Sequence, residues 1–457
     1  MKAATSTTWA EPAAPAAAHQ AQKAGWSFMV RALQYPNYRL FFSGQSVSLI
    51  GSWMTRIATS WLIYRLTGSA LLLGVVGFAG QIPTFLFAPY AGVMVDRWDR
   101  HRILVITQVL AMIQSFGLAA LALSGHINIW HVIILSAFQG LINAFDMPAR
   151  QSFVVQMVER KEDLGNAIAL NSSMVNVARL LGPSIGGVII AAVGEGWCFF
   201  IDGVSYLAVI ASLLAMRIAN QSKPPAKAKT WHQLREGFTY VSGSMPIRTI
   251  LLLLALVSLV GVPYAVLMPV FATQILHGGP HTLGFLMAAS GVGALGGALF
   301  LASRKSVLGL GKIIPLTAGA FGVGLIGFSL SHVLWLSLAL MLVTGFGFMV
   351  QMAASNTLLQ TIVEDDKRGR VMSFFSMAFM GTAPFGSLMA GGLANRIGAP
   401  HTLTLSGICC MAGALWFATN LSNLRENVHP IYQKLGIVPE VTAGIQCATE
   451  LTRPPED

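Results

Sequence analysis

Long apolar runs alternate with short polar breaks along most of the chain. A helix crosses the hydrocarbon core of a bilayer with about 20 mostly apolar residues. Twelve runs reach that length, at roughly 39–64, 70–95, 103–124, 128–149, 166–193, 197–218, 248–276, 282–302, 313–331, 333–361, 371–395 and 401–421. Lipid offers no partners for backbone polar groups, so such runs are read as helices. The pattern predicts an all-α membrane protein with twelve transmembrane helices. Composition removes the soluble alternative. The chain is 54% hydrophobic and 10% charged, whereas a soluble domain is nearer a quarter charged.

Charge then sets the expected topology. Lys and Arg collect in cytoplasmic loops. Nearly all of the 29 basic residues fall in the two terminal stretches and the even-numbered loops; Arg65 and Arg396 lie on the opposite face. Both termini are therefore expected in the cytoplasm, and the chain in the cell membrane. The net charge of +11 needs no nucleic acid, because anionic headgroups of the cytoplasmic leaflet account for it. Residues 1–38 read as a disordered cytoplasmic tail without the apolar core of a signal peptide, and 423–457 as a loose cytoplasmic tail. Between them lie a six-helix half at 39–219, a linker at 220–247 and a second half at 248–422. The linker segment TWHQLREGFTYV (230–241) suits an amphipathic surface helix. Cys198, Cys409, Cys410 and Cys447 lack metal-ligand spacing, so no metal or cofactor is expected.

The two halves repeat. Gly92 and Gly297, Gly140 and Gly345, and Gly186-Gly187 and Gly391-Gly392 stand at one common offset of 205. FVVQMVERKED (153–163) lies opposite LLQTIVEDDKR (358–368) at the same offset. Two parallel six-helix repeats joined by a linker are the layout of a secondary transporter, whose substrate site lies near the midplane between them.

One loop carries a specific resemblance. GVMVDRWDRHR, from Gly92 to Arg102, is similar to the hallmark loop of the major facilitator superfamily. The resemblance implies a latch between the halves, built from Gly92, Asp96, Arg97, Arg100 and Arg102; a plain basic loop serving topology is the alternative. Gly92 suits close helix approach, and Asp96 the positive end of a neighbouring helix. In the second half Leu301 stands where Asp96 would repeat. The stretches 35–74, NAFDMPARQSFV (143–154) and ARLLGPSIGGVI (178–189) resemble the branch containing the enterobactin exporter and related efflux proteins. Gly182, Pro183, Gly186 and Gly187 partly match an exporter glycine-proline motif and equally suit helix packing and kinking.

Charges inside spans point to mechanism, because each is costly in the membrane. Asp202 is the acid placed well within a span, which makes it the candidate proton carrier; a structural hydrogen bond is the alternative, because the resemblance implies a peripheral sixth helix. Asp146 and Arg150 form an i,i+4 pair read as structural or gating. Arg56 and Arg179 keep their charge, so each needs an acid, carbonyls, water or an anionic ligand. A long Arg56 side chain reaches Asp202 if their helices face each other. The resemblance places the first and fourth helices of each half at the cavity, which favours Arg56 as a lining residue. Gln81, Gln139, Asn143, Tyr264, Gln351 and Asn356 are further substrate or coupling candidates, each equally suited to a helix–helix hydrogen bond. The positive balance favours acidic or phenolic substrates over simple cations. Neither a Walker loop nor an enzyme motif is present. The expected function is proton-coupled export of a siderophore-like or other secondary metabolite by a monomer working through alternating access. A broad drug efflux pump and a transport-inactive sensor or assembly subunit are the alternatives.

The latch reading has a direct test. Asp96→Asn is expected to cut transport strongly at near-normal expression, and wild-type export rates in that variant would leave only the topology role.

Overall fold

The computed structural model describes residues 30–217, 230–304 and 306–434. The expected tails at 1–29 and 435–457, the linker stretch 218–229 and the side chain of Asp96 lie outside it. The first half comprises α1 (Pro36–Thr67), α2 (Ala70–Arg97), α3 (Arg100–Leu123), α4 (Ile129–Met157), α5 (Lys161–Val193) and α6 (Glu195–Ala215). A linker helix α7 (Thr230–Gly243) leads to α8 (Met245–Ile275), α9 (Pro280–Ala302), α10 (Leu310–Leu330) and α11 (Leu334–Ile362). Helix α12 runs through Asp365–Ser376, Met377–Gly381 and Ala383–Ile397, followed by α13 (Ala399–Thr419) and α14 (Leu421–Lys434). Eleven of these helices are long and apolar enough to cross a membrane. Helix α1 is the twelfth span; Arg39, Arg56 and Arg65 lower its hydropathy, not its length.

Local chemistry sets the helix ends. Pro36 opens α1, and Gly68 closes it at φ 59°, a backbone that only glycine adopts without strain. Ser69, Asp99 and Asn128 cap α2, α3 and α4 through their side-chain oxygens.

Helical structure extends beyond the expected boundaries of both halves. Residues 30–38 are ordered, because Asp163 at the start of α5 holds them. It pairs with Arg31 and accepts hydrogen bonds from Gln34 Nε2 at 3.1 Å and Tyr35 Oη at 2.6 Å. At the other end, Leu424 and Val428 of α14 are buried, so one face of this helix packs on the second half. The linker segment forms helix α7. Glu236 ties it to Arg370 of α12 at 2.9 Å, and Phe238 packs on Phe374.

The halves meet at two glycine seams near the face opposite the basic loops. A β-carbon on Gly74 of α2 would come 2.6 Å from the Ser387 carbonyl and 2.9 Å from Gly391 Cα on α12. One on Gly284 of α9 would come 2.6 Å from the Pro183 carbonyl and 3.1 Å from Gly187 Cα on α5. Phe385 of α12 wedges between Phe78 and Phe85 of α2. Toward the basic face α2 loses such partners. Leu86, Tyr90 and Trp98 are exposed, and a β-carbon on Gly92 would meet nothing within 4 Å. The close approach expected at Gly92 is thus absent in this state.

The seams also correct the repeat register. Gly74 and Gly284 play the same role, as do Gly187 and Gly391. The first pair is 210 apart and the second 204, so the common offset fails at both. It holds for Gly140 and Gly345, which press on the Gly80 and Ser290 carbonyls of α2 and α9. Matched from Gly74, the counterpart of Asp96 is Ser306, five residues beyond Leu301.

A wedge in one seam tests its role. Gly284→Val overpacks the contact by about 1–3 kcal/mol and is expected to part the halves there. Spin labels at Leu66 and Ile397, on the same face, should report a longer distance than in the unmodified chain. An unchanged distance would mean the seam does not hold the halves together.

Candidate functional site

The membrane core of the first half carries two acid clusters. Asp146 of α4 pairs with Arg150 one turn on. Its other oxygen accepts from Gln108 Nε2 at 2.7 Å and Thr107 Oγ1 at 3.1 Å, both on α3. This carboxylate is 2% exposed. Such full pairing fits a structural tie between α3 and α4.

Asp202 of α6 has different company. It is 1% exposed. Its Oδ2 accepts from Thr55 Oγ1 of α1 and Ser115 Oγ of α3, both at 2.9 Å. Its Oδ1 has no hydrogen-bond partner and sits over Gly51, where a β-carbon would lie 2.7 Å away. Four acids are buried among the described residues: Asp146, Asp163, Glu195 and Asp202. The first three pair with Arg150, Arg31 and Arg65, and Asp202 alone has hydroxyls in place of a cation. The expected reach of Arg56 to Asp202 is not made. Thr55 takes the carboxylate, and its neighbour Arg56 turns away.

Arg56 turns to an indole. Trp53 lies one helical turn before it on the same face of α1. The Arg56 guanidinium carbon stands 4.6 Å from the Trp53 ring centre, and that of Arg179 on α5 stands 5.3 Å from it. Arg56 is exposed although it lies within a membrane-spanning helix. Tyr264 of α8 bonds Ser290 of α9 at 2.7 Å, and the backbone of Arg179 and Leu180 borders Gly291. Residues from both halves therefore converge around the two arginines.

The other candidates are dispersed. Gln81 bridges the halves, donating to Ser387 Oγ at 3.3 Å. Gln139 donates to Asn143 at 3.2 Å and Gln351 to Ser355 at 3.4 Å, each keeping a buried carbonyl oxygen without a partner. Asn356 accepts from Gln360. Gly182 and Gly186 press on α1 at Trp53 and Met54, while Gly187 faces α9. The motif thus packs α5 between two helices. In the loop, Arg97 is exposed, and Arg102 stands 3.7 Å from Asp99, the cap of α3. Trp53, Thr55, Ser115 and Ser290 were not foreseen. Only Trp53 left a local signal, its spacing from Arg56.

Comparison with known proteins agrees with this architecture. The family of transmembrane secretion effectors matches residues 30–433. The chain belongs to this family. It is an efflux transporter of the major facilitator type. The staphyloferrin A transporter of Staphylococcus aureus is 26% identical over 398 residues, covering 86% of this chain and 99% of that one. The multidrug efflux pump Tap of Mycolicibacterium fortuitum is 27% identical over 389 residues, covering 82% and 93%. The macrolide efflux protein A of Streptococcus pyogenes is 25% identical over 397 residues, covering 83% and 96%. In solved structures the transporter's fold resembles an inward-facing, unoccupied bacterial homologue of the human lysosomal transporter Spinster. The TM-score is 0.64 at 13% identity, over 88% of this chain and 99% of that one. A nucleoside transporter, NupG, matches at TM-score 0.64 and 13% identity, over 85% and 98%.

The Asp146 cluster gives a stability prediction. Arg150→Ala strands a buried carboxylate and should cost about 3–5 kcal/mol, seen as a lowered melting temperature of the purified protein. Adding Asp146→Asn should recover much of the loss. A double variant no more stable than the single one would show that the pair is not the tie.

Proposed function

We propose that the protein exports a small molecule by alternating access, driven by the proton gradient. The observation that carries this reading is a two-half bundle closed by glycine seams at one face, with an accessible polar centre between the halves. With the basic loops in the cytoplasm, the state described here is closed to the outside and loads cargo from within. Helices α2 with α12 and α5 with α9 part at their glycine seams when the halves rock.

Asp202 supports proton coupling. It is the buried acid without a cation, so it takes and releases a proton without breaking an ion pair. Its cage includes Thr55, next to the cavity residue Arg56. A charge change at Asp202 therefore bears on the helix that lines the centre. Asp146 is the weaker carrier, because Arg150 already holds its charge. The latch of Gly92, Asp96, Arg97, Arg100 and Arg102 closes the basic face in the other half of the cycle, and the protein acts as a monomer. Broad drug efflux is the second reading, favoured by the names of two relatives.

Transport in proteoliposomes tests the coupling. Asp202→Asn is expected to abolish pH-driven transport and the accompanying proton movement while the protein stays folded. Wild-type pH dependence and proton uptake in that variant would remove Asp202 from the mechanism.

A further inference from the structure

Among the described residues the two central arginines have no acidic partner. Neither Arg56 nor Arg179 makes an ion pair or a side-chain hydrogen bond among the described residues, and Arg179 Nε is buried without a partner. Three of the four buried acids pair with other arginines, and Asp202 is held by the hydroxyls of Thr55 and Ser115. Guanidinium keeps its proton in proteins, so two like charges face the same ring in a region where charge is costly. The Trp53 ring offsets part of that cost.

We propose that Arg56, Trp53 and Arg179 form a binding site for a cargo bearing at least two oxyanion groups, carboxylate or phosphate, one for each guanidinium. The proposal rests on the transport reading and specifies its cargo. Both forks lie within 5.3 Å of one ring centre, close enough to act on a single small molecule. A planar fork donates two parallel hydrogen bonds to a carboxylate or phosphate. The Tyr264–Ser290 hydroxyl pair of the second half stands beside Arg179, within its electrostatic reach. An anion held by α1 and α5 thus meets hydroxyls on α8 and α9 and draws the halves together around itself. A cargo of this charge relieves the repulsion between the arginines; a cation adds to it.

The test is equilibrium binding to the purified full-length protein, followed by tryptophan fluorescence and calorimetry. The probes are citrate, pyrophosphate, acetate and tetraphenylphosphonium. Citrate or pyrophosphate is expected to bind at least about tenfold more tightly than acetate, and tetraphenylphosphonium not to compete, as charge-assisted bidentate pairing requires. Preference for citrate assigns carboxylate cargo, and preference for pyrophosphate assigns phosphate cargo. Arg56→Ala and Arg179→Ala should each lose that preference, and Arg56→Lys should restore part of it. Arg56→Gln, which keeps length and polarity without charge, guards against a folding defect and should behave like the alanine variant. Equal binding of all three anions, or unchanged citrate and pyrophosphate affinities in Arg56→Gln, would overturn the site. Proton movement in proteoliposomes is read separately. Anion binding without proton movement keeps the site and sinks the transport reading. Proton-coupled export without anion preference does the reverse.

Discussion

Two glycine seams hold this molecule together, and the rest of its architecture depends on them. Lipid is as apolar as the helix surfaces, so burying Leu against Leu across the seam between halves gains little. Close backbone approach through small residues takes over that task. Gly74 with Gly391 and Gly187 with Gly284 bring α2 to α12 and α5 to α9 at backbone distance. A valine at any of these positions cannot fit. The same smallness leaves no large side chain at the glycine contacts themselves, which makes them separable. Phe385, wedged between Phe78 and Phe85, adds apolar area farther from the face.

Charge is distributed unequally between the two halves. Among the described residues, the first half holds the four buried acids and both central arginines. Three acids serve as ties: Asp163 fastens the segment before α1 to α5, Glu195 fastens α6 to Arg65 of α1, and Asp146 fastens α4 to α3. These ties make the first half an electrostatically cross-linked block. Asp202 and the two arginines remain outside that scheme, and all three touch or flank the stretch from Trp53 to Arg56 on α1. One turn of one helix therefore carries the proton candidate on one side and the anion candidate on the other.

Much of this was legible in the sequence because lipid imposes simple rules. Span number, basic loops and the linker helix follow from hydropathy and charge alone. Helix ends were less legible. Pro36 starts α1 ahead of the apolar run, and Leu424 and Val428 extend order past α13 through packing that hydropathy does not register. The repeat offset misled at Gly186-Gly187 and Gly391-Gly392, because glycines are frequent and seam partners are fixed by helix rotation. Arg56, Arg179 and Asp202 stood out as intraspan charges. Their partners did not, because Thr55 and Ser115 come from different helices and Trp53 joins residues 123 positions apart. Asp96 remains a reading from its loop motif alone.

The second half answers with a different kind of irregularity. Among the described helices, π segments occur at Val257–Gly261 and Phe271–Ile275 in α8 and at Met377–Gly381 in α12. Their counterparts α1 and α5 are regular throughout. A π turn shifts the helix face and leaves backbone carbonyls without their usual donors, which lipid does not tolerate unless something else pairs them. One such carbonyl is paired across the helices: Ser258 Oγ in the first π segment donates to the Phe379 carbonyl in the last, at 2.5 Å. That single hydroxyl joins the irregular turns of α8 and α12. Helix α8 carries Tyr264 toward the arginines, and α12 carries Gly391 into the seam. Val257–Gly261 and Met377–Gly381 lie on the basic-loop side of Tyr264 and Gly391, so the Ser258 bond couples the two helices away from the closed face. In the proposed cycle, movement of Tyr264 toward a bound anion passes through the Ser258 bond to α12, the helix that carries Gly391 into the seam.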